Sequence, residues 1–329
     1  MRTGRAVRNA LIGLVAALAL AACGSSGTDE AKPAAGGAGL EKTKLNIGVV
    51  PVPSSAPLFI AKEKGFFKAE GLEISTETIQ APQPVMPKIL NGGIDAFLTS
   101  YVSLITITDS GMAKLKMLAE SQQGAPGVNG VVVTKDSPIK EPKDLKGKKI
   151  AVNTVKALGE VTVSAQLKIH GLAPSDVTFV PVPFADQLTQ LKAGTVDAAW
   201  LTEPYISAAQ KDLGARLLID TLSGPTENLP LDGWATTADW ITKYPKTAAA
   251  FQRAIGKAQQ IAATDRQELN KVIPTFTQIP AEAASTMAIG TFSTSLNATR
   301  IQRVADLLNE FQITKNKIDA TTLVAAPSQ

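Results

Sequence analysis

The feature that most constrains the fold is a strand–helix pattern that occurs twice in the chain. Each copy contains the motif Gly-x-(Ile/Val)-Asp-Ala, at residues 92–96 and again at residues 194–198. The predicted strands cover residues 45–50, 72–79 and 94–98 in the first copy, and residues 149–152, 177–182 and 196–200 in the second. Alternating strands and helices favour a parallel sheet with right-handed crossovers. The sequence therefore predicts an α/β fold with two doubly wound sheets.

Two similar sheets in one chain imply two lobes with a cleft between them. In open α/β sheets, ligands bind beyond the carboxyl ends of the strands. The loops predicted to face the cleft are therefore the ones that follow the strands. They are residues 51–57, 80–83 and 99–101 in the first lobe, and residues 153–158, 183–186 and 202–204 in the second.

The chain is predicted to cross between the lobes through a two-stranded hinge. Apolar, β-branched segments at residues 130–135 and 216–222 are the candidate crossing strands. The pattern after Tyr244-Pro245 is helical, and these helices are predicted to pack back on the first lobe. The predicted first lobe is therefore discontinuous, with residues 42–133 and 234–329, and the second lobe comprises residues 134–233.

The N-terminal 22 residues have the pattern of a bacterial export signal. Three arginines precede an apolar stretch, residues 11–20, which is too short to span a bilayer. The sequence Leu-Ala-Ala-Cys that ends at Cys23, followed by Gly and Ser, resembles a lipobox, which implies cleavage before Cys23 and lipidation of that residue. An ordinary secretory signal is the alternative. Residues 23–41, rich in Gly, Ala and Ser, are predicted to be a flexible tether.

Composition excludes several classes of site and partner. Cys23 is the only cysteine, so the chain can form neither an internal disulfide nor a cysteine-based metal site. The formal net charge is +4, but three of the arginines lie in the predicted export signal. No run of basic residues alternates with aromatic ones, which argues against a nucleic-acid partner. We expect no metal ion and no cofactor.

Three motifs resemble the signatures of nitrate/sulfonate/taurine-type solute-binding proteins, a group that also includes binding proteins for thiamine-precursor pyrimidines. The motifs are PLFIAKEKGFF at residues 57–67, DLKGKKIAV at residues 144–152 and EPY at residues 203–205. The resemblance extends from about residue 42 to the C-terminus. It implies a periplasmic-binding-protein-like (type II) fold, in which two lobes close on a solute without chemical conversion.

Hydroxyl groups at predicted helix starts are the first candidate ligand contacts. Ser54 and Ser55 precede Pro57, which suits the first turn of a helix. They are candidates both for capping that helix and for binding an anion or carbonyl. Thr154 occupies the equivalent position in the second copy, but the loop around it has no glycine- and serine-rich turn. That departure disfavours a nitrate- or sulfonate-like ligand.

The remaining candidates lie in other cleft loops and at the return to the first lobe. Ser100 and Tyr101 follow a strand of the first lobe, and Tyr101 is also a candidate wedge between the lobes. Glu203 either caps the helix that Pro204 opens or accepts a hydrogen bond from an N–H donor on the ligand. Gln83, in a proline-rich loop, is a candidate donor, and Trp234 is a candidate stacking surface for a planar ligand.

The combined reading is an extracytoplasmic, lipid-anchored and monomeric binding protein that delivers a small polar or heteroaromatic solute to the permease of an ABC importer. One alternative is an enzyme on the same fold. Pyrimidine synthases that resemble this group use a histidine and a cysteine cluster, whereas His170 is the only histidine here. A menaquinone-pathway dehydratase needs neither residue. Another alternative is a ligand-sensing partner of a membrane receptor.

Overall fold

The computed structural model describes residues 39–327, which form two mixed β-sheets flanked by helices. The strands are β1 (Lys44–Val49), β2 (Glu73–Thr78), β3 (Ala96–Ser100), β4 (Leu115–Glu120), β5 (Gln122–Gln123), β6 (Asn129–Val133), β7 (Lys149–Val152), β8 (Thr178–Pro181), β9 (Ala198–Thr202), β10 (Arg216–Asp220), β11 (Asp232–Thr237) and β12 (Thr291–Phe292). The helices are α1 (Ala56–Glu63), α2 (Phe66–Ala69), α3 (Pro82–Leu90), α4 (Tyr101–Asp109), α5 (Leu158–Ile169), α6 (Phe184–Lys192), α7 (Tyr205–Leu213), α8 (Ala238–Lys243), α9 (Pro245–Thr264), α10 (Arg266–Val272), α11 (Ala281–Thr286) and α12 (Ala298–Glu310).

The two sheets have corresponding strand orders. The first is β2-β1-β3-β11-β4, and the second, read from the equivalent edge, is β8-β7-β9-β6-β10. In each, three successive strands of one sequence copy pair in parallel, as predicted: β1 with β2 and β3, and β7 with β8 and β9. The fourth strand runs antiparallel to both of its neighbours. The predicted α/β fold with two similar sheets is confirmed, but the sheets are mixed.

The shared aspartate of the repeat has the same backbone role in both sheets. Asp95 accepts a hydrogen bond from the backbone N–H of Asn46 at 2.9 Å. Asp197 accepts one from the backbone N–H of Lys149 at 2.8 Å. Each carboxylate therefore joins the start of the third strand of its copy to the first strand.

The position of β6 corrects the predicted lobe boundary. The sequence assigned residues 129–133 to the first lobe, but β6 pairs with β9 and β10 in the second sheet. The reason is that β6 is the first strand after the chain leaves the first sheet, just as β11 is the first strand after it returns. We therefore place the first crossing before Asn129, and the second between Asp220 and Asp232.

The C-terminal helices pack on both faces of the first sheet. Phe251 and Ala254 on α9 pack in one buried cluster with Leu58 on α1. Ile301 and Val304 on α12 lie in a second buried cluster on the other side of the first sheet. Burying apolar surface on both faces of the sheet is what holds these distant segments together.

The predicted flexible tether is longer than the structure allows, because its last residues contact the folded body. Leu40 packs against the first core cluster. The Glu41 carboxylate accepts hydrogen bonds from the backbone N–H groups of Lys246 and Thr247, at 3.2 and 3.0 Å, at the start of α9. Residues 40 and 41 therefore belong to the folded body. The predicted export signal, the rest of the tether and Cys23 lie outside the described residues. Within residues 39–327, no helix combines the length and hydropathy needed to cross a membrane.

Candidate functional site

A cavity lies between the two sheets and is lined by residues from both. It encloses about 850 Å³ of empty space, a volume that includes the part open to solvent. All six loops predicted to face the cleft contribute to its wall. Representative lining residues, one from each loop in chain order, are Ser54, Gln80, Ser100, Thr154, Phe184 and Glu203.

Of the three predicted serines in the first lobe, two face the cavity and one does not. Ser54 and Ser100 line the first-lobe wall. The Ser100 hydroxyl also caps α4, since it accepts the Ser103 backbone N–H at 3.1 Å. Ser55 is fully buried, and its hydroxyl donates to the Val50 carbonyl at 2.6 Å. Ser55 therefore stabilises the turn before α1, and the prediction that it faces ligand is wrong.

An acid that the sequence did not predict lines the same wall. Asp232, the first residue of β11, reaches the cavity from the second crossing. Burial raises the pKa of the Asp232 carboxyl to about 7, although the Ser54 hydroxyl and the Gln122 backbone N–H favour its ionised form. The Gln122 N–H donates to Asp232 Oδ1 at 3.2 Å. The side chain of Gln122 lines the cavity too, and its buried Nε2 has no hydrogen-bond partner within residues 39–327.

The second-lobe wall contains the other predicted acid. Glu203 is 5% exposed and lines the cavity. Its carboxylate accepts the Ser207 hydroxyl at 2.8 Å and the Ser207 backbone N–H at 3.1 Å. Burial raises the pKa of Glu203, while these two hydrogen bonds oppose the rise. The geometry favours the helix-capping role for Glu203, and Thr154 lies beside the same cavity.

The aromatic lining differs from the prediction. Trp234 is fully buried in the first-lobe core, where its ring meets Phe251 edge-on, so it does not face the cleft. Trp200 is buried but lines the cavity, with Phe184 next to it at a ring-centroid distance of 5.8 Å. The indole N–H of Trp200 donates to Thr221 Oγ1 at 3.1 Å, which fixes the orientation of its ring. Successive side chains of a strand point to opposite faces of the sheet. The sequence pattern alone did not show which face of β9 meets the cleft.

Two more predicted contacts lie outside the lining. Tyr101 is fully buried beneath the first-lobe wall, and burial together with the nearby Glu120 and Asp232 carboxylates raises the pKa of its phenol. Gln83 is half-buried on α3 and does not line the cavity, although its neighbours Gln80 and Pro82 do. For both residues, the first turn of a helix directs the side chain away from the cleft.

The residues that the sequence missed come from the crossings rather than from the repeat. They include Gln122, Val128, Asn129, Leu231 and Asp232, with Ala288 and Ile289 from the C-terminal region. In the sequence, the only indication of these residues was that two polar residues, Gln122 and Asp232, lie next to apolar segments. Within the described residues, no group of three or more His, Cys, Asp or Glu side chains is arranged to hold a metal ion.

The chain can now be compared with known proteins. A family model described as NMT1/THI5 like matches residues 52–269, more than half of the chain. The chain belongs to the NMT1/THI5-like family. The matched region contains the second copy of the repeat, the first copy except for its first strand, and both crossings, and therefore most of the cavity lining.

Relatives of this family member are solute-binding components of transport systems. The nitrate/nitrite binding protein NrtA of Nostoc sp. is 28% identical over 255 residues, which cover 71% of this chain and 57% of the relative. The bicarbonate-binding protein CmpA of Synechococcus elongatus is 26% identical over 267 residues, which cover 73% of this chain and 59% of the relative. The chain thus spans little more than half the length of these curated relatives.

A solved structure of another protein has a fold similar to that of this chain. The periplasmic aliphatic sulphonate binding protein SsuA from Escherichia coli matches it with a TM-score of 0.70 at 22% sequence identity, covering 88% of this chain and 94% of that one. The fold is therefore the two-lobed fold of the periplasmic binding proteins.

Proposed function

We propose that the chain is the extracytoplasmic solute-binding component of an ABC importer. The observation that carries this proposal is the cavity of about 850 Å³ whose wall is shared between two lobes. Membership of the NMT1/THI5-like family and relatives named as nitrate and bicarbonate binding proteins support it. The ligand is a small polar or heteroaromatic molecule, and its delivery requires the permease subunits of the importer.

The mechanism is a shift in the population of open and closed forms. A ligand that contacts Ser54 on one wall and Thr154 on the other gains both sets of contacts only when the lobes are close together. It therefore binds the closed form more tightly and shifts the equilibrium towards it. The two crossings are the segments at which the backbone can bend, because they alone connect the sheets directly.

Binding without chemical conversion fits the composition of the wall. Among the described residues, the cavity lining contains no histidine, cysteine or lysine that could act with Ser54 or Thr154 as a nucleophile–base pair. His170 lies at the C-terminal end of α5 and not in the lining. This arrangement argues against a pyrimidine-synthase-like reaction, and it offers a dehydratase-like reaction only the acids Asp232 and Glu203.

The anchoring part of the proposal rests on the N-terminal sequence. Residues 1–22 act as the export signal, and lipid on Cys23 holds the mature protein, as a monomer, at the outer face of the cytoplasmic membrane. The tether between Cys23 and Leu40 then sets how far the folded body can move from the membrane. A flexible chain of this length gives it the freedom to meet a permease.

Native mass spectrometry of the full-length chain, purified in detergent without denaturation, tests the proposed function. We expect a bound small molecule, and we expect the molecule released by denaturation to have the same mass as the one supplied to the empty protein. Repeated conversion of that molecule to a product of different mass would instead establish an enzyme. Finding no bound molecule after growth in rich medium, and no binding from a cell extract, would contradict a binding protein of either kind.

A further inference from the structure

The charges around the cavity are all of one sign. Asp232 contributes a carboxylate from the first-lobe side and Glu203 one from the second-lobe side, and no arginine, lysine or histidine lies in the lining among the described residues. When both are ionised, two acids in a partly enclosed space create a negative potential that repels an anion. This pattern is opposite to what nitrate, bicarbonate or sulfonate would require.

Helix N-termini are the usual alternative way to hold an anion, since their free N–H groups carry partial positive charge. At three of the helix starts near the cavity, those groups are already used or absent. Pro82 and Pro84 remove two donors from the first turn of α3. The Ser103 N–H at the start of α4 is bonded to Ser100, and the Ser207 N–H at the start of α7 is bonded to Glu203. The starts of α3 and α4, on the same wall as Asp232, therefore offer little compensation for its charge. The starts of α5 and α6 also line the cavity and have no side-chain cap, so their backbone N–H groups offer partial compensation on the second-lobe wall.

The two acids differ in what they leave for a ligand. Both oxygens of Glu203 are engaged by Ser207. Asp232 accepts a backbone N–H from Gln122, and within residues 39–327 it forms no ion pair with any lysine or arginine. A carboxylate removed from water without a cationic partner is costly. A ligand that supplies the missing cation would bind with a gain in free energy.

Gln122 gives a second, independent indication of a ligand. Its side chain is 3% exposed, lines the cavity next to Asp232, and has an Nε2 without a partner within residues 39–327. A buried amide donor normally has an acceptor. A ligand with an acceptor atom close to its cationic nitrogen satisfies both Gln122 and Asp232.

We propose that the cavity selects a small organic cation, a protonated amine, amidine or amino-heteroaromatic ring, whose N–H groups donate to Asp232, and that it rejects nitrate, bicarbonate and sulfonates. Trp200 and Phe184 supply the apolar surface on which the body of such a cation lies. This inference rests on the proposed function, because it names the ligand class for that same cavity.

Thermal unfolding of the full-length chain in detergent at pH 8 tests the ligand class with probes of one shape and three charges. We add millimolar benzamidinium, benzamide or benzoate, with 4-aminopyridinium as a second cation and nitrate, bicarbonate and methanesulfonate as oxyanions, all at equal ionic strength. Both cations are expected to raise Tm by a few degrees, as mass action predicts for a ligand in large excess over its Kd. The neutral and anionic probes are expected to leave Tm unchanged.

Asp232→Asn is the deciding variant, because asparagine keeps an oxygen for the Gln122 N–H but loses the charge. It should abolish the cation-induced shift, whereas Asp109→Asn, the same change at an exposed carboxylate that binds Lys315 and Asn316, should retain it. The Tm without ligand shows whether each variant is folded. If Asp232→Asn does not fold, wild-type protein measured from pH 8 to pH 5 replaces it. The cation-induced shift should then shrink as Asp232 takes up a proton, with Glu120, Tyr101 and Glu203 as the other titratable groups around it.

The outcomes separate the two proposals. No shift with either cation, or a cation shift that survives Asp232→Asn, overturns the ligand class. A shift with nitrate, bicarbonate or methanesulfonate also overturns it, but leaves the chain a binding protein. The proposed function itself is decided by whether native mass spectrometry finds a reversibly bound, unconverted molecule.

Discussion

At the scale of single residues, the molecule keeps one acid in an unfavourable setting. Asp232 is enclosed by protein, and the neighbouring Glu120 carboxylate adds repulsion to the cost of burial. Ligand sites commonly contain ionisable groups with strongly shifted pKa values. A ligand that relieves the cost of burying such a group binds more tightly for that reason. The consequence can be measured in the absence of any ligand.

The first prediction concerns pH and the stability of the empty protein. An ordinary aspartate has a pKa of about 3.9, whereas that of Asp232 is about 7. Between these values the folded state holds a proton that the unfolded state has lost, so the free energy of unfolding should fall as pH rises from about 4 to about 7. Urea unfolding at pH 5 and pH 8 should show a larger fall for wild type than for Asp232→Asn. Equal falls in the two proteins would mean that Asp232 titrates normally.

Individual contact residues were only partly predictable. Ser54, Ser100, Thr154 and Glu203 follow strands and line the cavity, as the repeat implied. Trp234 was misplaced because the alternation of side chains along β11 fixes two faces but does not identify the one that packs on α9. Asp232 escaped notice because it follows a crossing, and its position depends on which strands of the first sheet β11 pairs with.

At the scale of secondary-structure elements, polar side chains at strand ends have two roles at once. Glu203 begins the turn after β9, caps α7 through Ser207, and forms part of the cavity wall. The same carboxylate therefore affects both the stability of a helix and the potential in the cavity. Substitutions can separate these roles.

Glu203→Gln and Glu203→Ala form a matched pair for this purpose. Glutamine keeps an acceptor for the Ser207 N–H and removes a charge that burial disfavours, so the free energy of unfolding at pH 7 should be unchanged or slightly higher. Alanine removes the acceptor and should lower it by about 0.5–2 kcal/mol, the usual cost of losing a helix cap. Urea unfolding measures both. A loss for glutamine as large as that for alanine would show that the charge of Glu203, and not its oxygen, supports α7.

The secondary-structure elements were largely predictable where they depend only on the local sequence. Strands β1, β2 and β3 and their counterparts β7, β8 and β9 follow from alternating apolar segments and helix-ending glycines. The antiparallel strands β6 and β11 did not, because each pairs with a sheet that it reaches only after a crossing. Local sequence indicates that such a segment is extended, but its partners are determined by the packing of the whole molecule.

At the scale of the whole molecule, the folded body and the N-terminal segment have separate tasks. The body from Gly39 onward contains both sheets and the cavity. The predicted export signal and Cys23 would decide where that body is located. A change at the anchor should therefore leave ligand binding intact.

Cys23→Ala tests this separation. We expect the wild-type protein in the membrane fraction after cell lysis, and the variant either released or unprocessed, because alanine cannot carry the lipid. The thermal response of the variant to the cations described above should match that of wild type. Wild-type protein found without lipid and outside the membrane fraction would contradict the anchor, while leaving the cavity and its ligand untouched.

The insertion of β11 between β3 and β4 imposes an order of events on a chain that is synthesised N-terminus first. All strands of the second sheet lie between Asn129 and Asp220, so that sheet can form from one continuous piece of chain. The first sheet must wait, since β11 inserts between β3 and β4, which have long since emerged. Until residue 237 has emerged, the backbone N–H and C=O groups on the edge of β3 that pairs with β11 have no partner strand. During that time this edge can pair with the wrong strand. The strand that closes this edge begins with Asp232, so the first lobe acquires its completed sheet and the acid that lines its cavity at the same moment.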